Sequence, residues 1–478
     1  MLFNSFAFFG FLSFFAAAYF ATPRRYRYVV VAIGSYAFYM QWRAEHALLL
    51  FAITAVDFTI ARAMSATASP WVRRGLLASA LAFDYGLLVY FKYANFLYQS
   101  FVDIGRYFDP SAVAAGNVWD VVLPIGISFF IFQSTGYLID VFAGRQAPER
   151  NFVLYSAFVT FFPQLVAGPI ERADNLMPQI RDGATPRWDQ LTSGGWLILY
   201  GLFKKMCVAD LVAPVVDGVY GSPESYNGTY LAIATVLFAV QIYGDFSGYT
   251  DIARGVARCL GVELRLNFRR PYRAASVTEF WQRWHISLSS WFRDYLYLPL
   301  GGNRVAPTAW VRNIVIVFAV SGLWHGAAWT FVLWGLVHAA AVIIERFTGS
   351  ALPRPERVSA WRRGAGRVWT LSVVLIGWMF FRAGSFDNLT AILGGLTDWG
   401  PIRYGTFKSL GLPSFEILAA AIHIAVLFTV DRILDDDQRL GRWSDRTLPF
   451  RPLLAVALLY DILLFGVVDK IDFIYFQF

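Results

Sequence analysis

The stretch Ser-Gly-Leu-Trp-His-Gly-Ala-Ala-Trp (residues 321–329) indicates the class of protein, because it places His325 between two apolar runs. These runs extend from Ile314 to Val320 and from Phe331 to Ile344. An ionisable ring at membrane depth is costly to bury, and residues of this kind usually carry function. His325 is therefore the first candidate functional residue, and its surroundings predict membrane-spanning helices.

The composition of the whole chain also predicts a membrane protein. Of its 478 residues, 57% are hydrophobic and 15% are charged, whereas a soluble domain usually carries about 25% charged residues. Apolar stretches of the required length recur throughout, so we predict an all-α polytopic membrane protein with about ten to twelve crossings. The predicted spans are 6–22, 28–41, 47–62, 75–92, 121–143, 194–216, 229–257, 312–324, 326–345, 367–382, 414–430 and 452–467.

One further apolar stretch, 152–170, is predicted to be a broken or re-entrant segment. It contains Phe-Phe-Pro-Gln-Leu-Val-Ala-Gly-Pro. A break of this kind is tolerated at membrane depth only where protein buries it or water lines it. The sequence shows neither an internal repeat nor a soluble domain, and a single membrane domain over 1–478 is the simplest interpretation.

The distribution of basic residues predicts the orientation of the chain. Arginines follow the first, third and fifth predicted helices and recur between residues 346 and 367. Because loops rich in Lys and Arg stay on the cytoplasmic side, we expect both termini to be extracytoplasmic. The same loops account for the net charge of +8, so this charge does not indicate nucleic-acid binding.

A second histidine, His285, lies in the longest polar stretch, 258–311, where arginines alternate with aromatic residues. We expect this stretch to lie at the cytoplasmic interface. Residues 276–298 have the spacing of one amphipathic helix, with Trp284 and His285 on its aromatic face. A lone histidine of this type is more often structural, but two of them in Trp-rich, Arg-flanked settings favour proton or acyl handling.

Four arginines in the polar stretch 258–311 are candidates for donor binding. We identify Arg269, Arg270, Arg273 and Arg283 as candidates that bind the phosphates of a nucleotide-bearing donor, because a guanidinium group suits phosphate oxygens. A polybasic loop against anionic lipid headgroups is an equally good interpretation. The sequence leaves both open.

Carboxylates also lie near membrane depth, at the end of the apolar run that precedes residue 258. Asp245 and Asp251 are accompanied there by Ser247 and Tyr249. Such groups must pair with each other or line a water-filled cavity. We favour cavity lining over a packing network, because the density of polar residues exceeds what helix packing needs.

Other features of the chain are less specific. A metal site is a poor interpretation, since cysteine partners are lacking and only two histidines are well placed. His46, His338 and His423 are interpreted as structural. The chain ends in the aromatic tail Phe-Ile-Tyr-Phe-Gln-Phe (473–478), which must be buried in the protein, the bilayer or a partner.

Taken together, these motifs resemble those of one family, the membrane-bound O-acyltransferases. Within it, the chain is similar to the bacterial branch of alginate O-acetyltransferases, which includes the peptidoglycan O-acetyltransferase membrane subunit and the D-alanyl transferase of teichoic acids. The resemblance runs from the first helix to the last residue. It is carried by Leu-Pro-Ile-Gly-Ile-Ser-Phe-Phe (123–130), Phe-Pro-Gln-Leu-Val-Ala-Gly-Pro-Ile (162–170), Asp-Phe-Ser-Gly-Tyr-Thr-Asp-Ile-Ala (245–253), Phe-Trp-Gln-Arg-Trp-His-Ile-Ser-Leu-Ser-Ser-Trp-Phe-Arg-Asp-Tyr-Leu-Tyr (280–297), Gly-Leu-Trp-His-Gly-Ala (322–327) and the terminal tail.

The resemblance implies a ring of helices around a central tunnel, with His325 as the catalytic histidine and His285 as a supporting residue. It leaves open whether His325 acts as a general base or is itself acylated. An acyl group, most simply acetyl, would arrive from a cytoplasmic thioester such as acetyl-CoA, without a bound cofactor, and emerge outside. The residues expected to line the tunnel are Asp245, Ser247, Tyr249, Asp251, Trp284 and Trp324.

The resemblance also suggests a role for the tail. In the teichoic-acid system, a partner peptide with an aromatic terminus receives the acyl group on tyrosine, and the tail of this chain is similar to that peptide. Tyr475 is thus a candidate acyl relay, and a hydrophobic plug is the alternative role of the tail. The implied setting is the bacterial inner membrane with its lipids, an extracytoplasmic SGNH-type partner, and a polysaccharide acceptor such as alginate, cellulose or peptidoglycan.

A transporter or channel for a lipid or polysaccharide precursor is the competing class. Intramembrane carboxylates, a histidine and a broken helix would suit it. Transporters often carry paired internal repeats, which this sequence does not show. The motif resemblance favours the enzyme.

Overall fold

The computed structural model describes residues 2–109, 119, 121–349, 359–433, 451–467 and 473–474. These residues form helices and connecting loops without a β-strand, which confirms the all-α prediction. Their contacts group into two compact units, the first formed by 10–184 with 326–328 and the second by 2–9, 185–325 and the described part of 329–478. The grouping does not test whether these units form a single membrane domain, which stays a prediction.

The first unit consists of helices that follow the apolar runs of the N-terminal third. Residues 6–9 of its first helix belong to the second unit. A π-helical turn, Val89–Tyr93, joins α4 to α5. The helices are α1 (Phe6–Ala21), α2 (Arg27–Met40), α3 (Ala44–Ala66), α4 (Pro70–Leu88), α5 (Ala94–Phe108), α6 (Ile127–Phe142), α7 (Phe152–Thr160), α8 (Phe162–Leu165) and α9 (Ala173–Asp182).

The segment predicted to be broken is broken, at Phe161 between α7 and α8. The backbone groups freed by the break have side-chain partners within the first unit. Phe162 N donates to Ser35 Oγ (3.1 Å), and Phe158 O accepts from Gln133 Nε2 (2.7 Å). These bonds explain why the chain tolerates an interruption in an apolar and buried segment.

The second unit holds the remaining helices. A π-helical segment, Phe203–Ala209, joins α10 to α11. The helices are α10 (Trp188–Leu202), α11 (Asp210–Gly221), α12 (Gly228–Cys259), α13 (Val277–Trp281), α14 (Ile286–Phe292), α15 (Pro307–His325), α16 (Trp329–Thr348), α17 (Ala360–Ala383), α18 (Phe386–Gly395), α19 (Tyr404–Ser409), α20 (Ser414–Ile433) and α21 (Arg451–Phe465).

Every predicted span contains a helix. By length and composition, seven helical segments among the described residues could cross a membrane, and three shorter helices are also apolar. Large apolar side chains on these helices are exposed, among them Phe14, Trp71 and Leu463, as expected for surfaces that meet lipid. The predicted positions are confirmed, and the number of ten to twelve crossings stays a prediction.

Close packing of α10 against α12 positions the centre of the second unit. A Cβ atom on Gly201 would lie 2.6 Å from Gly248 O, and one on Gly248 would lie 2.7 Å from Gly201 O. Only glycine therefore permits this approach of the two backbones. The approach brings the π-helical segment after α10 against the polar middle of α12.

Candidate active site

His325 is the last residue of α15, and α16 begins at Trp329 after a short turn. The two helices approach closely at Gly322, where a Cβ atom would lie 2.2 Å from Phe331 O. Gly322 thus permits the close approach of the two backbones, and α15 ends at the histidine. The packing of α15 on α16 consequently fixes where the imidazole lies.

Aromatic rings surround the His325 imidazole, which is only 3% exposed. Ring centroids of Trp334 (4.8 Å), Trp324 (5.0 Å) and Phe381 (5.4 Å) lie around it, each nearly edge-on or tilted. These side chains come from α15, α16 and α17. The environment is buried and aromatic, so bulk water has little access to the imidazole.

The stretch 276–298 differs from the single amphipathic helix that its spacing predicts. It forms α13 and α14, and His285 stands between them in the left-handed backbone region with φ of 44°. The prediction of one continuous helix is therefore wrong. The predicted burial of Trp284 and His285 is confirmed, since they are 1% and 0% exposed.

Asn267 stabilises the turn that carries His285. The backbone N–H of Ile286 donates to Asn267 O (2.9 Å). Oδ1 of Asn267 accepts from the backbone N–H of Ser287 (3.1 Å) and from its hydroxyl (2.9 Å). A residue eighteen positions upstream thus satisfies the first turn of α14, and hydrophobic periodicity gives no sign of such a contact.

The structure brings the two histidines together. Their ring centroids are 6.4 Å apart. The Trp324 ring lies 5.0 Å from the His325 ring and 5.8 Å from the His285 ring. Burial lowers the pKa of His285 from its ordinary 6.5 to about 3. His285 is therefore neutral at physiological pH and can act there as a hydrogen-bonding group but not as a cation.

The described part of the C-terminal tail, Phe473 and Ile474, lies against α12 near this pair. The ring of Phe246 is 4.7 Å from His285 and 5.7 Å from Phe473. Phe473 and Ile474 are 1% and 2% exposed, so this part of the tail is buried, as the sequence predicts. Tyr475 and the rest of the tail lie outside the described residues.

Two lysines that the sequence interpretation missed pair with the predicted carboxylates. Lys205 Nζ lies 2.9 Å from Asp245 Oδ1 and 2.8 Å from Asp210 Oδ1, and Lys204 Nζ lies 2.8 Å from Asp251 Oδ2. The signal was present, because two adjacent lysines within the predicted span 194–216 require partners at membrane depth. The carboxylates of α12 thus belong to buried ion pairs.

The other residues predicted to line a tunnel lie in the same region of the second unit. Ser247 and Tyr249 are buried on α12, and Tyr249 contacts Phe473 at 4.7 Å between ring centroids. Trp284 contacts Trp378 at 5.0 Å. Their role as tunnel lining stays a prediction.

The four candidate arginines occupy different environments. Arg269 and Arg273 are exposed, whereas Arg270 is buried and has a left-handed backbone with φ of 46°. Arg283 pairs with Glu279 one turn earlier. Their binding of donor phosphates stays a prediction.

An open cavity of about 730 Å³ lies beside the stretch that carries His285. Trp281, Ile286 and Phe318 form part of its wall, and the guanidinium groups at its lining are those of Arg293 and Arg346. Trp281 contacts Trp334 at 5.5 Å between ring centroids, and Trp334 contacts His325 at 4.8 Å. The cavity is thus separated from His325 by aromatic side chains.

Two of the three remaining histidines, His338 and His423, are buried. His338 is fully buried among aromatic rings that include Trp281 (5.0 Å) and Trp334 (5.2 Å). In His423, Nδ1 lies 3.0 Å from Cys207 O and Nε2 lies 3.2 Å from Asp461 Oδ1. Over the described ranges, no group of three or more His, Cys, Asp or Glu side chains is arranged to hold a metal ion.

Comparison with known proteins decides the family. Residues 142–383 match the model of the membrane-bound O-acyltransferase family, and this range contains both histidines. The chain is 36% identical over 437 residues to the probable alginate O-acetylase AlgI of Azotobacter vinelandii, covering 89% of this chain and 84% of that protein. The chain belongs to the membrane-bound O-acyltransferase family.

Other relatives in this family transfer acyl groups to different polymers, as their names state. The chain is 31% identical over 417 residues to the peptidoglycan O-acetyltransferase of Helicobacter pylori, covering 81% of this chain and 77% of that protein. It is 25% identical over 300 residues to the teichoic acid D-alanyltransferase of Streptococcus thermophilus, covering 55% and 69%. The chain is therefore a multi-pass membrane-bound O-acyltransferase, and the expectation of an enzyme rather than a transporter is confirmed.

Proposed function

We propose that this membrane-bound O-acyltransferase passes an acetyl group from a cytoplasmic thioester, such as acetyl-CoA, to an extracytoplasmic polysaccharide. The names of its relatives support a polymer acceptor of the alginate or peptidoglycan type, and cellulose is a further candidate. The observation that carries the proposal is the pair of buried histidines 6.4 Å apart. The ring of Phe246 lies between His285 and Phe473, the first residue of the tail.

In the proposed reaction, His325 accepts the proton of the acceptor hydroxyl. The hydroxyl oxygen then attacks the thioester carbonyl carbon, the C–S bond breaks, and an oxygen ester forms. The proton held on His325 passes to the leaving thiolate. General base catalysis of this kind contributes about 10²–10⁴-fold to the rate.

Acylation of His325 itself is the second route that the geometry permits. An imidazole nitrogen would attack the thioester and hold the acyl group until the hydroxyl oxygen takes it. Both routes need His325 and a dry pocket. They differ in whether an acyl-imidazole forms before the acceptor is bound.

His285 has a supporting role in the proposal. Because it is neutral and lies on a turn fixed by Asn267, it orients the acceptor or the thioester without competing for the proton. Trp324 contacts both imidazoles and would line the acyl path between them. We assign Trp284, Asp245, Ser247, Tyr249 and Asp251 to the wider tunnel wall.

Tyr475 is the proposed acceptor of the first transfer. It follows Ile474, which is buried and whose backbone N–H donates to Asp245 of α12 (2.7 Å). An acyl-tyrosine on the extracytoplasmic tail would then be available to a secreted SGNH-type partner that acylates the polymer. Replacement of Tyr475 by Phe removes only the hydroxyl, and unchanged polymer acetylation would contradict the relay.

The open cavity is the proposed entrance for the donor. Arg293 and Arg346 at its lining would bind donor phosphates, while the exposed Arg269 and Arg273, with Arg270 and Arg283, would attract the donor to this surface. The thioester would reach His325 past Trp281. In this proposal the cavity opens on the cytoplasmic side of the bacterial inner membrane, and both termini lie on the outer side.

A matched series of histidine variants tests the proposal. His325→Gln, His285→Gln and His338→Gln make the same change at three buried histidines of one aromatic cluster. We expect His325→Gln to lower thiol release from acetyl-CoA and polymer acetylation at least about a hundredfold, and His285→Gln to lower both less. His338→Gln should retain transfer, and equal losses in all three variants would contradict a specific role for His325.

A further inference from the structure

The Asp245 carboxylate makes two different contacts, one to a lysine and one to the C-terminal tail. Its Oδ1 lies 2.9 Å from Lys205 Nζ. Its Oδ2 accepts a 2.7 Å hydrogen bond from the backbone N–H of Ile474. The tail is therefore held through its main chain by a side chain 229 positions earlier in the sequence.

The charges at this point favour the tail contact. Lys205 is shared between Asp245 and Asp210, and all three side chains are no more than 5% exposed. Asp245 therefore shares its ammonium partner with a second carboxylate in a buried setting. The backbone N–H of Ile474 gives Asp245 a second partner, and hydrogen bonds to ionised acceptors are stronger than neutral ones.

Aromatic contacts fix the same segment of the tail on α12. The Tyr249 ring lies 4.7 Å from Phe473 and 4.4 Å from Phe3. Both ends of the chain thus meet on one ring, one turn of helix beyond Asp245. The apolar contacts hold the Phe473 side chain, and the hydrogen bond to Asp245 fixes the position of the Ile474 backbone.

We propose that Asp245, oriented by Lys205, is a positioning residue that binds the backbone of the C-terminal tail and holds Tyr475 in register for acylation. The role in acylation rests on the proposed function, because it assumes Tyr475 as the relay. Binding of the tail does not. The hydrogen bond from the backbone N–H of residue 474 to Asp245 does not depend on the side chain at 474. The contact with Tyr249, by contrast, requires an apolar side chain at 473.

Trimming of the full-length protein by a carboxypeptidase in detergent tests the binding. Intact-mass measurement follows how far the C-terminus is removed with time. In the wild type we expect trimming to stop before Ile474. Asp245→Ala should speed removal of Ile474 by about tenfold to a hundredfold, since a bond to a charged acceptor is lost.

Asp245→Asn retains an oxygen acceptor without the charge, so its trimming rate should fall between those of the wild type and Asp245→Ala. It also decides the question if Asp245→Ala fails to fold. The matched control is Asp251→Asn, which alters a carboxylate of the same helix that pairs with Lys204 at 2.8 Å. This control should leave Ile474 protected.

Acyl transfer by the same variants distinguishes two parts of the proposal. The clamp is the binding of the tail backbone by Asp245, and the relay is acyl transfer through Tyr475. Faster trimming together with a parallel loss of polymer acetylation supports both. Faster trimming with wild-type acetylation supports the clamp and overturns the proposed relay. Unchanged trimming in Asp245→Asn and Asp245→Ala, or equal exposure of the tail in Asp251→Asn, overturns the clamp, and Tyr475→Phe then still tests the relay by itself.

Discussion

His285 and His325 lie with their ring centroids 6.4 Å apart, although forty residues separate them in the chain. One stands on a turn between two short helices, and the other ends a long apolar helix. Neither position is set by the histidine itself. Asn267 holds the turn, and the close approach at Gly322 holds the helix end. Substitutions at these two residues should therefore shift the imidazoles while leaving both histidines in the sequence.

Asn267→Ala should lower acyl transfer by about tenfold to a hundredfold. The substitution removes the acceptor of two hydrogen bonds donated by Ser287. It leaves buried donors unsatisfied, which costs about 1–3 kcal/mol each. Steady-state transfer and thermal unfolding in detergent measure the two effects. Ser287→Ala removes only the hydroxyl and should have a smaller effect, and wild-type transfer in Asn267→Ala would contradict a positioning role for the turn.

Gly322→Ala should destabilise the protein and reduce transfer. The added methyl group would lie 2.2 Å from Phe331 O, so α15 must move away from α16 and carry His325 with it. Gly364→Ala on α17 is a matched control, because nothing lies within 4 Å of its added Cβ. It should be neutral or stabilise the helix by about 0.5–1 kcal/mol, and an equal effect of both substitutions on the melting temperature would contradict the close-packing interpretation.

Acidification should destabilise the wild type through His285. Its pKa is 6.5 when unfolded and about 3 when folded, so the unfolded state binds the proton more readily. The stability is fully present above pH 6.5 and is lost as the pH falls toward 3. For this group alone, the loss between pH 7 and pH 5 is about 2 kcal/mol.

The test of this pH dependence compares melting of the wild type and His285→Gln at both pH values. The variant lacks the titrating group, so the difference between the two proteins should shift in favour of the variant at pH 5. A difference that does not change with pH would contradict the burial of a neutral imidazole at this position.

Arg293→Gln and Arg346→Gln should raise the KM for acetyl-CoA with little change in kcat. Both side chains line the open cavity, whereas neither imidazole does, so we expect them to act on donor binding. Arg187→Gln, an exposed arginine paired with Asp189 and outside the cavity lining, serves as the control. A larger KM effect from Arg269→Gln than from the cavity pair would favour the arginines identified from sequence as the phosphate site.

The apolar runs predicted the helices well because burial in lipid depends on length and hydropathy, which are local properties. The break near Phe161 was also predictable, since its prolines and glycine lie in the sequence. The turn at His285 was not, because helical spacing continues through it while the left-handed backbone is stabilised by Asn267, a distant residue.

The ion pairs of α12 also depend on contacts between helices, which the sequence pattern does not predict. Asp245 and Asp251 were recognisable as buried carboxylates, and cavity lining was the favoured interpretation. Their partners Lys204 and Lys205 come from another helix, and the contact depends on the approach of Gly201 to Gly248. Periodicity assigns faces to single helices, but it does not specify which faces meet.

The most direct test of the acyl path is a rapid-quench experiment with radiolabelled acetyl-CoA and purified full-length protein, followed by peptide mapping of the label. We expect protein-bound label on the C-terminal peptide that contains Tyr475, with its loss in both Tyr475→Phe and His325→Gln. Tyr475→Phe should still bind acetyl-CoA but form no ester on the tail. Label on the tail of His325→Gln at the wild-type rate would contradict the role of His325 as the catalytic histidine.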